Sequence, residues 1–162
     1  MDERVIYTVG HSNTGMNKFI GTLNQNNIKT IIDVRSAPYS RYAPQFNKDN
    51  IKRELEKEGI TYIFMGNVLG GKPEQFNDKV PDDAKYREIK AQEGYRNGIL
   101  RLIEIANTNK TAIMCSEENP GNCHRHLLIT QSLIAKGAKV KHIRCDGTIE
   151  DAKKQAQTKL LF

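Results

Sequence analysis

The chain has 162 residues, with 25 Lys and Arg against 19 Asp and Glu, for a formal net charge of +6. The length suits one compact domain with its own core. At 38% apolar residues and a mean hydropathy of −0.62, no apolar run approaches the ~18 residues of a membrane span. Three cysteines are an odd count for a stapled extracellular domain. With an N-terminus lacking a secretory pattern, this points to a reducing cytoplasm.

The charge is uneven. Residues 1–47 hold five basic and three acidic groups, 48–126 thirteen of each, and 127–162 seven and three. The surplus toward the end reads either as a solvated face or as an attraction to polyanions such as nucleic acid.

Val5-Ile6-Tyr7-Thr8-Val9 is β-branched and aromatic, ends at Gly10, and reads as a buried first strand. Met16, Phe19, Ile20 and Leu23 recur at helical spacing behind Thr14. Residues 30–34 form a second strand, and a polar loop runs from Arg35 to Phe46. Ile51 and Leu55 mark a charged helix, and 61–65 are a third strand. From Gly66 to about Asp83 the composition predicts a long loop. Helical spacing resumes from Tyr95 to Ala106. A fourth strand spans 111–115, a helix runs from Asn122 to Lys136 before Gly137, a fifth strand spans 139–144, and a last helix starts near Ile149.

Strands alternating with helices predict a single three-layer α/β domain over 1–162. Its sheet is mainly parallel, of about five strands, with helices on both faces. Ligands of such sheets bind beyond the strand carboxyl ends. The residues there are Gly10-His11-Ser12, Arg35 to Arg41, Gly66 to Lys72, Cys115-Ser116-Glu117 and Cys145-Asp146-Gly147.

The densest chemistry lies in Cys115-Ser116-Glu117-Glu118-Asn119-Pro120-Gly121-Asn122-Cys123-His124-Arg125-His126. Asn119-Pro120-Gly121 is a turn, Asn122 a helix cap, and Cys123, His124 and Arg125 the first helical turn. Free backbone N–H groups there favour anions and lower a thiol pKa. Cys123 or Cys115 is therefore a candidate nucleophile, with His124 or His11 as proton carrier and Glu117 as base or orienting carboxylate. Arg35, Arg125, Arg41, Ser12, Gly70 and Gly71 are candidate substrate-binding residues.

Competing readings exist for several of these positions. Cys115, Cys123, a histidine and Cys145 would make a metal site if the fourth and fifth strands were neighbours, although the cysteine gap misses the usual spacing. Cys115 and Cys145 would otherwise be packed thiols, and Cys115 with Cys123 a reversible disulfide. Nine residues separate Cys115 from Arg125, so the phosphatase-like cysteine, five residues, arginine pattern fails. Gly66-Asn67-Val68-Leu69-Gly70-Gly71-Lys72-Pro73 nearly spells a Walker A loop, yet Pro73 replaces the hydroxyl residue that binds magnesium. Gly70-Gly71 then reads as tight packing or a ligand-facing bend. Arg35 either pairs with Asp33 or reaches an anion. The loop from Ser36 to Phe46 mixes Arg41, Tyr39 and Tyr42, a pattern that stacks bases and holds phosphates or packs upon itself. His142 reads as a half-buried sheet residue.

Taken together, Gly10-His11-Ser12, Asp33-Val34-Arg35 with Pro38 and Ser40, Tyr62, Leu69-Gly70-Gly71, Cys115, Glu117, Cys123-His124-Arg125, His142 and Gly147 resemble, in order and spacing, the bacterial and archaeal domain-of-unknown-function family four-eight-eight. The resemblance spans nearly the whole chain. It implies an α/β domain whose polar signature residues gather at one site, with an enzymatic or nucleic-acid-related role. His126, directly after the Cys-His-Arg triplet, leaves the proton carrier open. The resulting expectation is a cysteine-dependent hydrolase or transferase acting on an anionic or nucleotide-like substrate. The alternatives are a noncatalytic nucleic-acid or nucleotide-binding module and a metal-binding hydrolase.

Overall fold

The computed structural model describes residues 5–71 and 82–154. Its elements are β1 (Val5–Gly10), α1 (Met16–Gln25), β2 (Thr30–Asp33), a 3₁₀ turn (Pro44–Phe46), α2 (Lys48–Lys57) and β3 (Thr61–Phe64). They continue with α3 (Gly66–Leu69), α4 (Asp82–Ala91), α5 (Glu93–Thr108) and β4 (Thr111–Cys115). A second 3₁₀ turn (Pro120–Asn122) leads to a π-helical segment (Arg125–Thr130) that continues as α6 (Gln131–Ala135), before β5 (Lys139–Ile143) and β6 (Ile149–Asp151).

These strands make one six-stranded sheet in the order β3-β2-β4-β1-β5-β6. The first five are parallel and β6 is antiparallel to β5. β2 and β4 are buried along their whole length, as strands covered on both faces must be. Alternation divides each between two cores. Ile31, Ala112 and Met114 pack with Phe19, Leu23, Ile51 and Leu55 of α1 and α2. Ile32, Ile113 and Cys115 pack with Ile89, Ile99, Leu102, Leu128 and Leu133 from α4, α5 and the helix after β4. The expected three-layer α/β architecture is therefore the observed one, with one strand more.

That strand is a correction. In place of a helix from Ile149, β6 pairs Ile149 with Ile143 and Asp151 with Lys141. Gly147, at φ +89, lets the chain turn back onto β5. Residues 155–162 lie outside the described ones. The expected loop from Gly66 to Asp83 is also corrected, since its ends are helical in α3 and α4. Lys72 and Pro73 of the Walker-like stretch lie outside the described residues. Among the described residues, no helix is long and apolar enough to cross a membrane.

The order of strands positions the site. β1 connects through α1 to β2 on one side, whereas β4 connects through α6 to β5 on the other. The direction of winding reverses between adjacent β1 and β4, whose last residues Gly10 and Cys115 are paired. A crevice opens at such a reversal, beyond the strand carboxyl ends.

Candidate functional site

At this crevice lies a cavity of about 590 Å³, walled by His11, Arg35 and its loop, Gly71, Lys85 and Tyr86, the turn Cys115-Ser116-Glu117, and Cys123-His124. Four loops that are far apart in sequence deliver them, together with Lys85 and Tyr86 of α4. The close approach of the turn after β4 to β1 requires Gly10, where a Cβ would stand 1.9 Å from the Glu117 carbonyl oxygen. Backbone bonds from His11 N–H to the Cys115 carbonyl (3.0 Å) and from Ser12 N–H to the Ser116 carbonyl (2.8 Å) lock the two loops together.

Cys123 departs from the expected helical turn. Asn119 caps the 3₁₀ turn by accepting from Gly121 N–H. Cys123 itself is extended at φ −127 and ψ 143, and His124 is the first residue with helical angles. Cys123, and not Asn122, thus stands immediately before the helix. Its Sγ accepts the Arg125 backbone N–H at 3.5 Å, and its carbonyl accepts from His126 and Leu127. This is the geometry of an N-cap with sulfur as the acceptor, a place that favours a thiolate.

Arg125 is fully buried. Its Nη1 donates to Cys115 Sγ at 3.0 Å and to the Glu117 carbonyl, Nη2 to the Glu118 carbonyl at 3.0 Å, and Nε to Thr8 Oγ1 at 3.0 Å. Among the described residues no carboxylate pairs with it. Glu118 is turned away into a bidentate pair with Arg144 that, with the Cys145 N–H, holds its carboxyl down to about 2. Glu117 is on the cavity wall, and its exposed carboxylate accepts Asn119 N–H. Arg125 thus lies behind the cavity wall, with Cys115 between.

The nearest anionic candidate for this cation is sulfur. The Cys123 thiol is pulled down to about 4, first by hydrogen bonding with the Cys115 side chain and then by His124 and Arg125. Burial, and after it Cys123, pushes Cys115 well up. The two thiols are thus pushed in opposite directions, Cys123 toward the thiolate and Cys115 away from it. His124 donates Nε2–H to the Val34 carbonyl at 2.9 Å, presenting Nδ1 to Cys123 Sγ at 3.7 Å. A Cβ on Gly71 would meet Cβ and Cγ of His124 at 2.7 Å, so that glycine is tight packing against the histidine. Gly70 packs against Ser36 off the cavity wall.

On the opposite wall, Arg35 pairs with Asp33 through two bonds, Nε to Oδ1 at 2.9 Å and Nη2 to Oδ2 at 2.8 Å. Tyr62 donates to Asp33 Oδ2 at 2.5 Å, and its phenol is pushed far up by burial and then by Asp33. The remaining Arg35 nitrogen, Nη1, donates to His11 Nε2 at 3.2 Å, while His11 Nδ1 donates to the Ser12 carbonyl at 2.7 Å. His11, stacked on Phe46 at 4.4 Å, is lowered to about 4 mainly by burial, and is neutral. Arg35 therefore both pairs with Asp33 and reaches the cavity.

Of the residues singled out from the sequence, His11, Arg35, Gly71, Cys115, Glu117, Cys123 and His124 share the cavity. Ser12, in the left-handed region at φ +47, and Arg41 are exposed and off its wall. Cys145 is exposed beyond β5, and β1 lies between β4 and β5, so the strand adjacency needed for a Cys115, Cys123 and Cys145 metal site does not occur. Among the described residues no three His, Cys, Asp or Glu side chains form a metal-binding group. His142 is buried more deeply than expected. Lys85 and Tyr86 were not foreseen, because they belong to α4. The only trace of that helix is Lys85 and Ile89 one turn apart, both buried, within a charged run.

A family model described as "Domain of unknown function DUF488" matches residues 15–131. The match includes Asp33-Val34-Arg35, Cys115, Glu117 and Cys123-His124-Arg125, whereas Gly10-His11-Ser12 and His142 lie outside it. No curated protein and no solved structure matches the chain significantly. With a match covering well over half of its length, the chain belongs to the DUF488 family.

Proposed function

We propose that this protein is a cysteine-dependent hydrolase or transferase acting on an anionic or nucleotide-like substrate bound at the carboxyl ends of β1, β2 and β4. The observation that carries the reading is the arrangement at the base of the cavity. Cys123 sits at a helix start beside a second thiol, with a fully buried guanidinium behind the pair. A thiolate stabilised this way is a ready nucleophile at neutral pH. Its Sγ attacks an electrophilic centre of the substrate, and a leaving group departs. Water or an acceptor then releases the bound group and regenerates the thiolate. His124, with Nε2 tied to Val34, carries protons at Nδ1. His11, with both ring nitrogens engaged, positions Arg35. Glu117, on the cavity wall, orients the attacking water. Arg35 and Lys85 line the same cavity and supply positive charge for an anionic group. The chemistry needs both cysteines reduced, which fits a cytoplasmic location.

The test is to screen nucleotides and small phosphorylated or carboxylated molecules for turnover and for covalent adducts by intact mass. With any substrate found, Cys123→Ser abolishes both. Full turnover in a Cys115→Ser/Cys123→Ser chain excludes the thiolate mechanism.

Tyr39 and Tyr42, 62% and 89% exposed on either side of exposed Arg41, favour a second reading, a noncatalytic module that stacks single-stranded nucleic acid. Its mark is oligonucleotide binding that weakens steeply with salt and is lost in Tyr39→Ala/Tyr42→Ala.

A further inference from the structure

Thr8, His126 and His142 are off the cavity wall, yet they are joined to it by an unbroken chain of hydrogen bonds. Thr8 Oγ1 accepts from Arg125 Nε at 3.0 Å and lies 2.6 Å from His142 Nδ1. His142 Nε2 lies 3.1 Å from His126 Nδ1, with the two rings edge to face. Thr8 and Arg125 have no solvent exposure, and His142 almost none.

The donors along this chain follow from one fixed point. Arginine only donates, so the Thr8 oxygen accepts there, and the buried hydroxyl keeps a partner for its own proton by donating it to His142 Nδ1, 2.6 Å away. His142 is then the neutral tautomer with its proton on Nε2, donated to His126. Burial, together with Arg125, His126 and Arg144, lowers His142 to about 3, in keeping with a neutral ring. The Thr8 hydroxyl and both ring nitrogens of His142 then each have a partner of the right kind.

The consequence lies at the other end of Arg125. A guanidinium is a rigid plane, so fixing Nε against Thr8 fixes the direction of Nη1, which points at Cys115 Sγ. We propose that Thr8 and His142 are positioning residues that aim Arg125 at the cysteine pair, so that thiolate formation in the cavity depends on a hydroxyl and an imidazole that never reach it. This rests on the Cys123 thiolate of the proposed function, and neither residue touches substrate.

The experiment follows Cys123 ionisation directly in the full chain, in a Cys145→Ser background that removes the exposed third thiol. Iodoacetamide alkylation of Cys123, located by peptide mass, is measured against pH. Thr8→Val, which keeps the shape and removes the hydroxyl, is expected to move the alkylation midpoint up by about one pH unit, a tenfold fall in the acid constant. Thr8→Ser restores it to within about twofold of the parent. A folded Thr8→Val chain with the parent midpoint overturns the proposal. Should Thr8→Val fail to fold, His142→Asn and His142→Leu give the same comparison. Asn keeps an acceptor where Nδ1 was and holds the midpoint, while Leu raises it. Equal midpoints in those two variants overturn the proposal as well. An ordinary thiol midpoint in the parent chain sinks the nucleophile reading instead, while the difference between the Ser and Val variants still decides the positioning role.

Discussion

The Arg125 guanidinium meets the Cys115 sulfur at 3.0 Å, inside the protein and with no carboxylate of the described residues paired to it. Leaving a buried cation without a counter-charge is costly, and removing one member of a buried charged network strands the others. The carbonyls of Glu117 and Glu118, the Thr8 hydroxyl and the thiol pair all depend on this one side chain. Arg125→Met is therefore expected to destabilise the fold by about 3–5 kcal/mol, the range for breaking a buried charged interaction. Arg125→Lys is expected to restore little, since an ammonium cannot span Thr8 and the two carbonyls at once. Denaturant unfolding measures both. A loss below about 1 kcal/mol for Arg125→Met would place it in the range of ordinary surface pairs and contradict this account.

Cys115 stands beside Cys123 and lowers its thiol together with His124 and Arg125. Cys115→Ala removes that hydrogen bond while leaving the helix start and the arginine. The alkylation midpoint of Cys123 is expected to rise from about 4 and to stay below the ordinary thiol value of 9.0. An unchanged midpoint would show that the helix start and Arg125 alone hold the thiolate.

Gly10 carries the packing of the turn after β4 onto β1. A methyl group there would overlap the Glu117 backbone, which cannot swing aside as a side chain would. Gly10→Ala is expected to cost about 1–3 kcal/mol, as overpacking of a close-packed interior does, and to pull the Glu117 carbonyl off Arg125. Cys123 alkylation in the folded variant reports the second effect. A fully stable variant with parent reactivity would mean that the turn does not need this approach.

Much of this was legible in the sequence where one local rule decided the outcome. The five parallel strands are short β-branched runs, and the polar residues collect just beyond them because parallel strands align their carboxyl ends. The convergence of His11, Arg35, Cys115, Glu117 and Cys123 follows from that. What escaped depends on tertiary partners. β6 is three exposed residues whose strand character comes from pairing with β5. α4 hides Lys85 and Ile89 in a charged run. Arg125 reads as a cation offered to ligand, but the bend between β4 and the helix folds over it and brings two carbonyls inward. Nothing in the spacing of Thr8 and His142, 134 positions apart, announces that they meet.

Acid should destabilise the protein well above the range where carboxylates titrate. His11 and His142 are lowered to about 4 and about 3, chiefly by burial, against an ordinary value of 6.5. A histidine whose folded pKa is depressed binds its proton preferentially in the unfolded chain, so the stability it permits above 6.5 is lost as pH falls toward the folded value. The Cys123 thiolate acts in the same direction, its contribution falling between the ordinary thiol value of 9.0 and about 4. Glu118, lowered to about 2 from 4.5, acts only at lower pH. In a Cys123→Ser chain the two histidines remain, each expected to cost about 2 kcal/mol on going from pH 7 to pH 5. Adding His142→Asn should remove about half of that loss, since the neutral amide has no proton to gain. Denaturant unfolding at the two pH values measures it, and equal stability of Cys123→Ser at pH 7 and pH 5 would show that neither buried imidazole is held neutral by the fold.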